Sequence, residues 1–362
     1  MKRILYIVPH RFNRSPGQRF RCEQYIPILK ECGYEVTYSN LLSKWDDTYF
    51  YQEGKYLFKA FIFLKTFIHR CFDVLRAKRY DAIFIYREAF MIGTTIFERG
   101  FKRSGKPIIY DFDDSIWIQD ISEGNKNLSW MKRAGKTDEI IAMSDLVIVG
   151  NQYLADHAQQ FNKNVAIIPT TIDTNYHKPA EKNNKSSVCV GWTGSETTMR
   201  HFKLIIPVFE RLQQKYGDKI SFIQISNQPV YCPNLNLETL VWNAQDEIEQ
   251  LQKIDIGVMP LPNDAWSKGK CGFKGLQYMS LAIPTIMSPV GVNTEIITNG
   301  ENGFFATTED EWFAILCELI ENKELCKTIG DAGRKTVIEK YSIDSQKDKY
   351  TALFNNLLLK DN

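Results

Sequence analysis

The chain has 362 residues, 44% hydrophobic and 24% charged, which is more than one hydrophobic core ordinarily organises and points to two domains. With 45 Lys and Arg against 43 Asp and Glu the formal charge is only +2, so no global field argues for nucleic acid and any anion site must come from a local cluster. Eight cysteines without a C-x-x-C pair or zinc spacing fit thiols in a reducing compartment, and no stretch approaches the ~18 apolar residues of a membrane span.

In chain order, "MKRILYIVP" has a basic start, but its apolar run of about five residues is shorter than a signal-peptide core and reads as a strand over 2–8. "GQRFRCEQYIPILKECG" has helical spacing closed by Gly33. "YEVTYSN" predicts a strand, 50–79 a long helix, "YDAIFIYR" a strand and 89–103 a helix. Then "KPIIYDFDD", a helix near 127–143, "DLVIVG", a helix near 151–160 and "NVAIIP" continue the alternation. Such alternation predicts a parallel sheet covered by helices on both faces.

The polar stretch "KPAEKNNKSS" has no apolar periodicity and separates a domain over 1–178 from a second over 188–342, with 179–187 as linker. The second series reads "VCVGWTG", a helix over 198–216, "KISFIQIS", a helix over 245–253, "DIGVMPL", a helix over 273–281 and "PTIMSP". The residues after 308 look helical to the end, and the last segment, 343–362, is expected to pack back on the first domain. Ligands of open parallel sheets bind at the carboxyl ends of the strands, so two facing doubly wound domains would form a cleft lined by loops that follow strands.

Those loops hold the unusual residues. "KGKCGFKGLQ" places Lys268, Lys270 and Lys274 around Cys271 and Gly272, ahead of a helix opening at Phe273. Cations are disfavoured at a helix start, where free N–H groups and a positive partial charge lie. Either the lysines snorkel into water, or they and the helix start receive an anion such as a diphosphate. "GWTGSETTMRHF" is a second phosphate-competent turn: Gly191 and Gly194 allow close approach, Ser195, Thr197 and Thr198 cap the helix or donate to phosphate, and Arg200 lies in the first turn.

After the first strand, "HRFNRSPGQRFRCEQ" sets Arg11, Arg14, Arg19 and Arg21 around Gly17, too long and basic for a plain connector. Arg19 and Arg21 cannot both point outward on one helical face, so at least one should look inward. "IIYDFDDSIW" ends a strand in Asp111, Asp113 and Asp114. Carboxylates this close can act as base, bind sugar hydroxyls, hold a divalent metal, or cap a turn while the rest are solvated.

These residues match a known family. "SDLVIVGNQYLADHA", "AIIPTTIDTNYHKP" and above all "DIGVMPLPNDAWSKGKCGFKGLQYMSLAIPTIMSPVGVNTEII" resemble a family-4 retaining glycosyltransferase of the GT-B fold (glycosyl transferases group 1), in a branch with a GKCGFK donor loop. The resemblance implies an α/β architecture of two facing Rossmann-like domains, with a sugar nucleotide bound by the second and the acceptor by the first. It places Gln277 where the family carries the ribose-binding Glu of an E-x7-E pair, and Gly269 where it carries the other Glu. Ser195 and Arg200 stand at the diphosphate-binding Arg and Lys positions, Asp113 and Asp114 at a His-Asp dipeptide, and Gly17 and Arg19 in the loop approaching the donor phosphates.

It further implies catalysis by charge stabilisation on the departing diphosphate, through Arg19, Arg200, Lys270 and Lys274 with Asp113 and Asp114 as sugar or acceptor contacts or general base. Gly17, Gly194, Ser195, Thr198, Cys271, Gly272, Phe273 and Gln277 complete the donor site. A UDP- or GDP-sugar would serve as substrate, with no cofactor and no metal. Residues 55–79, with seven Lys or Arg against one Asp among Phe, Leu and Ile, resemble an interfacial amphipathic helix. That suggests a saccharide or lipid-linked acceptor, a role in cell-surface polysaccharide biosynthesis, and a place in the cytoplasm at the inner face of the membrane. The competing reading is a nucleotide-sugar or polysaccharide-binding protein without turnover, since Gly269, Ser195 and Asp113 depart from the family's Glu, Arg and His.

Overall fold

Runs such as Ile4–Val8, Ala82–Tyr86, Ile108–Phe112 and Leu146–Val149 are buried at every position, as strands covered on both faces must be. The structure, a computed structural model, describes residues 1–52, 54–118, 133, 135–180, 187–228 and 230–359. Within these, β1 (Lys2–Val8), β2 (Tyr34–Asn40), β3 (Ala82–Tyr86), β4 (Ile108–Phe112), β5 (Leu146–Val149) and β6 (Val165–Ile167) form one parallel sheet of order β2-β1-β3-β4-β5-β6. The other runs β12-β11-β10-β7-β8-β9, from β7 (Val188–Thr193), β8 (Ile220–Ser226), β9 (Leu237–Val241), β10 (Ile256–Met259), β11 (Thr285–Met287) and β12 (Phe304–Phe305). The chain divides into two compact units, Met1–Thr170 with Gln346–Asn362, and Thr171–Ser345. The doubly wound α/β class read from the alternation is the class observed.

Where the structure departs from the pattern, backbone chemistry explains it. The helix expected from Gly17 to Gly33 is broken into Pro16–Arg21, a 3-10 turn at Glu23–Tyr25 and Ile26–Glu31, because Pro27 cannot donate and sits only in a first turn. The long helix over 50–79 starts at Tyr56, since Gly54 and Lys55 adopt positive φ (68° and 56°), and a separate helix, Lys44–Phe50, precedes it. The 198–216 helix is split into Met199–Phe202 and Ile206–Tyr216, with Pro207 in the first turn of the second piece. Strands β9 and β12 escape the pattern: β9 is a half-exposed edge strand and β12 has two residues. Of the helix expected near 127–143, the described part is Lys136–Met143; the rest, like 181–186 of the linker, lies outside the described residues.

In the first unit Tyr6 stacks on Phe84 at 4.3 Å, and the carboxyl-terminal helix Ile343–Leu358 supplies Tyr350, stacked on Tyr25 at 4.0 Å, and Phe354, wholly buried. Tyr34 Oη donates to Asn355 Oδ1 at 2.6 Å. In the second unit Val190, Trp192, Phe202, Phe209, Phe222, Trp312 and Leu316 form the core between sheet and helices.

One ion pair crosses the first unit's interior. Arg21 donates from Nε to Asp111 Oδ1 (3.1 Å) and from Nη2 to Asp111 Oδ2 (2.8 Å), with Nη1 on the Ile168 carbonyl. Both side chains are buried, and burial pushes the Asp111 carboxyl up to about 6 against the opposing pull of Arg21. Removing one partner strands the other charge away from water. Arg21→Ala is therefore expected to lower the stability of the first unit by about 3–5 kcal/mol, measured by urea unfolding, whereas Arg14→Ala, at a half-exposed pair with Asp47, should cost about 1 kcal/mol or less.

Candidate functional site

In an open parallel sheet the loops of two adjacent strands diverge where the strand order reverses, and the crevice left there takes ligands. In the second sheet the reversal falls between β7 and β10, in the first between β1 and β3. The loops after β7 and β10 are "GSETTMRH" and the lysine loop; those after β1 and β3 carry Gly17 and Arg87.

After β10 the chain forms a one-turn helix, Ala265–Lys268, N-capped by Asp264, whose Oδ1 accepts from Ser267 N at 2.7 Å. Lys268 thus closes that turn, where a cation is favoured, and its side chain is exposed. Lys270 lies half-buried with Nζ 5.0 Å from the ring centre of Trp266, and Lys274 half-buried 5.8 Å from that of Trp192. Gly272 is the N-cap of the Phe273–Ser280 helix at φ 67°, and a Cβ there would lie 2.3 Å from Ile296 Cδ1, so no larger residue fits. It offers no capping side chain, and the first turn holds no acid. Cys271 is buried and Phe273 half-buried beside it.

The loop after β7 faces the same reversal. Gly194 has no room for a side chain: a Cβ would lie 2.2 Å from the Trp192 ring and 2.6 Å from Thr198 Oγ1. Thr198 braces the turn, accepting from Ser195 N at 3.0 Å and donating to Ser195 O at 3.0 Å, and Ser195 Oγ lies 2.9 Å from Thr197 Oγ1. Arg200 is exposed, with Nε 3.4 Å from His201 Nε2.

His201 is buried beside Arg200. Its pKa falls to about 3, first through burial and then through the charges of Lys274, Lys270 and Arg200. Burial pushes Asp264 up, but its bonds from Ser267 and the charge of Arg200 bring it below its ordinary value. Among the described residues, the charges acting on His201 include those of Lys274, Lys270 and Arg200 and the carboxylate of Asp264. Three buried polar atoms on or beside these loops, His201 Nδ1, Ser267 Oγ and Asn293 Oδ1, have no hydrogen-bond partner among the described residues. An anion is what such a cluster can bind: it neutralises the cations and meets the helix start.

Gln277 is 2% exposed, and its Nε2 donates to Glu247 Oε1 at 3.1 Å, the same oxygen that accepts from Trp242 Nε1 at 3.2 Å. Tyr278, next to it, accepts from Thr193 N at 2.7 Å and so ties the lysine-loop helix to the end of β7.

In the first unit the four arginines separate. Arg11 and Arg14 share Asp47 Oδ2 at 2.6 and 3.0 Å, Arg19 lies over the Phe20 ring at 4.8 Å, and Arg21 is the inward-looking one, committed to Asp111. The aspartate trio is likewise divided, since Asp111 belongs to the core pair. Asp113 Oδ1 accepts from Tyr86 Oη (2.9 Å) and from Arg87 Nε and Nη2 (2.9 and 2.7 Å), and Asp114 Oδ2 from Arg87 Nη2 (2.5 Å). Gly17 packs on this group: a Cβ there would stand 2.7 Å from Tyr86 Oη and 3.1 Å from Asp113 Oδ2. Arg87, at φ 59°, orients both carboxylates.

Residues 185–322 match the family Glycosyl transferases group 1. Solved structures share the fold over the whole chain. Sucrose-phosphate synthase from Thermosynechococcus elongatus is similar with a TM-score of 0.69 at 12% identity, over 99% of this chain and 100% of that one. A glycosyltransferase from Rickettsia africae reaches 0.69 at 14% identity, over 100% and 99%. HepE from Anabaena, in complex with UDP and glucose, reaches 0.67 at 12% identity, over 98% and 100%. The architecture is that of the GT-B glycosyltransferases. No curated protein sequence matches the chain.

The sequence reading overlooked Arg87, His201, Asp264, Trp192, Trp266 and Glu247. Arg87 had a signal, being the polar residue that closes a buried apolar strand; Glu247 had none, since its partner lies thirty positions away. Because His201 resists protonation in the folded chain while its unfolded pKa stays near 6.5, the unfolded state takes the proton first. Its contribution to stability is present above about pH 6.5 and lost as pH falls toward about 3. In His201→Gln, urea midpoints are expected to decline less than those of the parent chain across that window.

Proposed function

We propose that the protein is a retaining, sugar-nucleotide-dependent glycosyltransferase that moves a sugar from a UDP- or GDP-sugar to a hydroxyl of a saccharide or lipid-linked acceptor. Its setting in this reading is cell-surface polysaccharide biosynthesis, in the cytoplasm at the inner face of the membrane. The observation that carries the reading is the placing of Lys270, Lys274 and Arg200 on and after the two loops at the strand-order reversal, beside an uncapped helix start.

A diphosphate in that position would gain charge as the sugar leaves, and cations fixed beforehand stabilise that charge more in the transition state than in the bound donor. Lys270 and Lys274 are held over tryptophan rings, and Arg200 is set beside His201, so little reorganisation is needed. Ser195, the Gly194 turn and the N–H groups after Gly272 would complete the phosphate contacts. The Gln277 and Glu247 pair would face the ribose, its carboxylate accepting from hydroxyls that Gln277 alone could bind less strongly. In the first unit, Asp113 and Asp114 would accept from acceptor or sugar hydroxyls, their orientation set by Arg87, with Gly17 and Arg19 at the edge of the same set.

Retention of configuration fits a leaving phosphate that takes the acceptor proton on the same face. The reading calls for no cofactor and no metal beyond the donor nucleotide. HepE carries UDP, glucose and UDP-glucose in its complexes, which puts UDP-glucose first in a donor panel.

A second reading, a sugar-nucleotide or polysaccharide binder without turnover, is favoured by one observation: Gly269, with no side chain, closes the short helix where a sugar-side carboxylate would stand. Two measurements separate them. In a thermal-shift screen of UDP-, GDP- and ADP-sugars, one donor class is expected to stabilise the chain by about 2.7 kcal/mol at a hundredfold excess over its Kd. Lys270→Ala with Lys274→Ala should remove most of that shift while leaving the unliganded Tm equal or higher, because like charges are relieved; a lower unliganded Tm would assign the lysines to the fold. Slow release of free nucleotide diphosphate that depends on both lysines supports the transferase, and donor stabilisation without release under any acceptor supports the binder.

A further inference from the structure

The helix Tyr56–Arg76 is apolar on nearly every side: Ile62 is buried, and Phe63 and Phe67 pack on Phe90 and Phe97. Its inward face carries Lys59, Thr66, Arg70 and Asp73, all buried, whereas Leu57, Phe61, Leu64, Ile68, Phe72 and Leu75 point outward with exposures from 47% (Ile68) to 87% (Leu57). Their spacing of three and four residues makes one continuous stripe about 27 Å long at 1.5 Å per residue. Soluble surfaces scatter such residues singly; a contiguous stripe of this size marks an interaction surface.

The polar groups of the inner face fix this orientation. Arg70 donates to the carbonyls of Ala89 (2.7 Å), Ser39 (3.1 Å) and Val8 (2.8 Å) and to Asp73 Oδ2 (2.7 Å), and Ser39 Oγ donates to the same carboxylate oxygen at 2.7 Å. Rolling the helix to hide its apolar stripe would break all of these and strand a guanidinium and a carboxylate. The stripe is therefore held outward by the fold.

We propose that this face, together with the aromatic group at its amino-terminal end, docks on an anionic lipid surface. Two features choose the occupant. First, the segment 55–79 has one acid, Asp73, and it is buried, while Lys55, Lys78 and Arg79 are exposed at the two ends; Lys65 and Arg76, half-buried, are paired with Asp46 and Asp73. A second copy laid against this face, parallel or antiparallel, would set cations against cations, whereas anionic headgroups complement them. Second, Trp45 of the helix Lys44–Phe50 packs on Tyr49, Phe58 and Phe61 at ring distances of 4.9, 6.1 and 6.0 Å and remains 43% exposed, with Tyr56 beside it at 62%. Amphipathic rings at one end of an apolar stripe suit the headgroup level of a bilayer. The proposal does not depend on the glycosyltransferase reading, and its test reads no activity.

The test is co-sedimentation of the full chain with vesicles of phosphatidylcholine alone and of phosphatidylcholine with phosphatidylglycerol. Binding is expected to the anionic vesicles and to weaken with salt. Leu64→Glu, Ile68→Glu and Phe72→Glu combined should reduce it at least tenfold while the Tm and any donor-induced shift stay unchanged, since all three side chains are exposed. Charge reversal at Lys55, Lys78 and Arg79 should weaken the anionic component about fivefold per site and spare what remains on neutral vesicles. Absence of sedimentation with both vesicle types overturns the proposal. So does a dimer in light scattering that the triple glutamate variant dissociates, which would make a second copy the occupant.

Discussion

Like charges collected in one place repel, and a fold that holds them there must be compensated by its own scaffolding or by something it binds. On the loops about His201 the second unit places Arg200, Lys270 and Lys274, and the Asp264 carboxylate there already caps a helix turn. The histidine is driven neutral, so it adds no fourth charge, and the lysines rest on indole faces. The rest of the site follows from this concentration. Gly194 and Gly272 are small because the Trp192 ring and Ile296 stand where a side chain would go, Tyr278 locks the two loops together, and the strand-order reversal provides the space.

The two units solve the same topological problem with opposite charge arrangements. Both place their unusual loops at a reversal of strand order, as open parallel sheets require. In the second, the cations are collected. In the first, opposite charges are interleaved: Arg21 with Asp111 in the interior, Arg87 with Asp113 and Asp114 at the strand ends, Arg11 and Arg14 with Asp47 outside. An interleaved set presents oriented carboxylate oxygens with little net field, which suits neutral hydroxylated molecules, whereas a collected set suits anions.

The sheets were legible because buried parallel strands announce themselves as short apolar runs; ten of the twelve strands fall in segments read as strands, although β2 is only partly buried. The edge strands β9 and β12 lack that signature, and helix breaks at Pro27 and Pro207 were readable only in hindsight, since proline in a first turn looks the same as proline ending a helix. Among functional residues, motif spacing led to Lys270, Lys274, Gly194 and Arg200, which share a loop or follow a strand. It did not show that Lys268 closes a helix turn, because the one-turn helix Ala265–Lys268 is too short to leave a periodic trace. Nor did it show that Asp111 belongs to the core, or that Gln277 has a carboxylate beside it; both depend on partners remote in sequence.

The exchange of the carboxyl-terminal helix has a consequence for how the chain matures. Tyr350 and Phe354 are wholly buried among Tyr6, Tyr25, Tyr34 and Phe84, so the first unit cannot finish its interior until residues 350–354 have left the ribosome. The unit encoded second, by contrast, is whole once Ser345 has emerged. Synthesis therefore completes the halves in reverse of their coding order, and the earlier half waits with an open seam, the state in which chaperones find their clients.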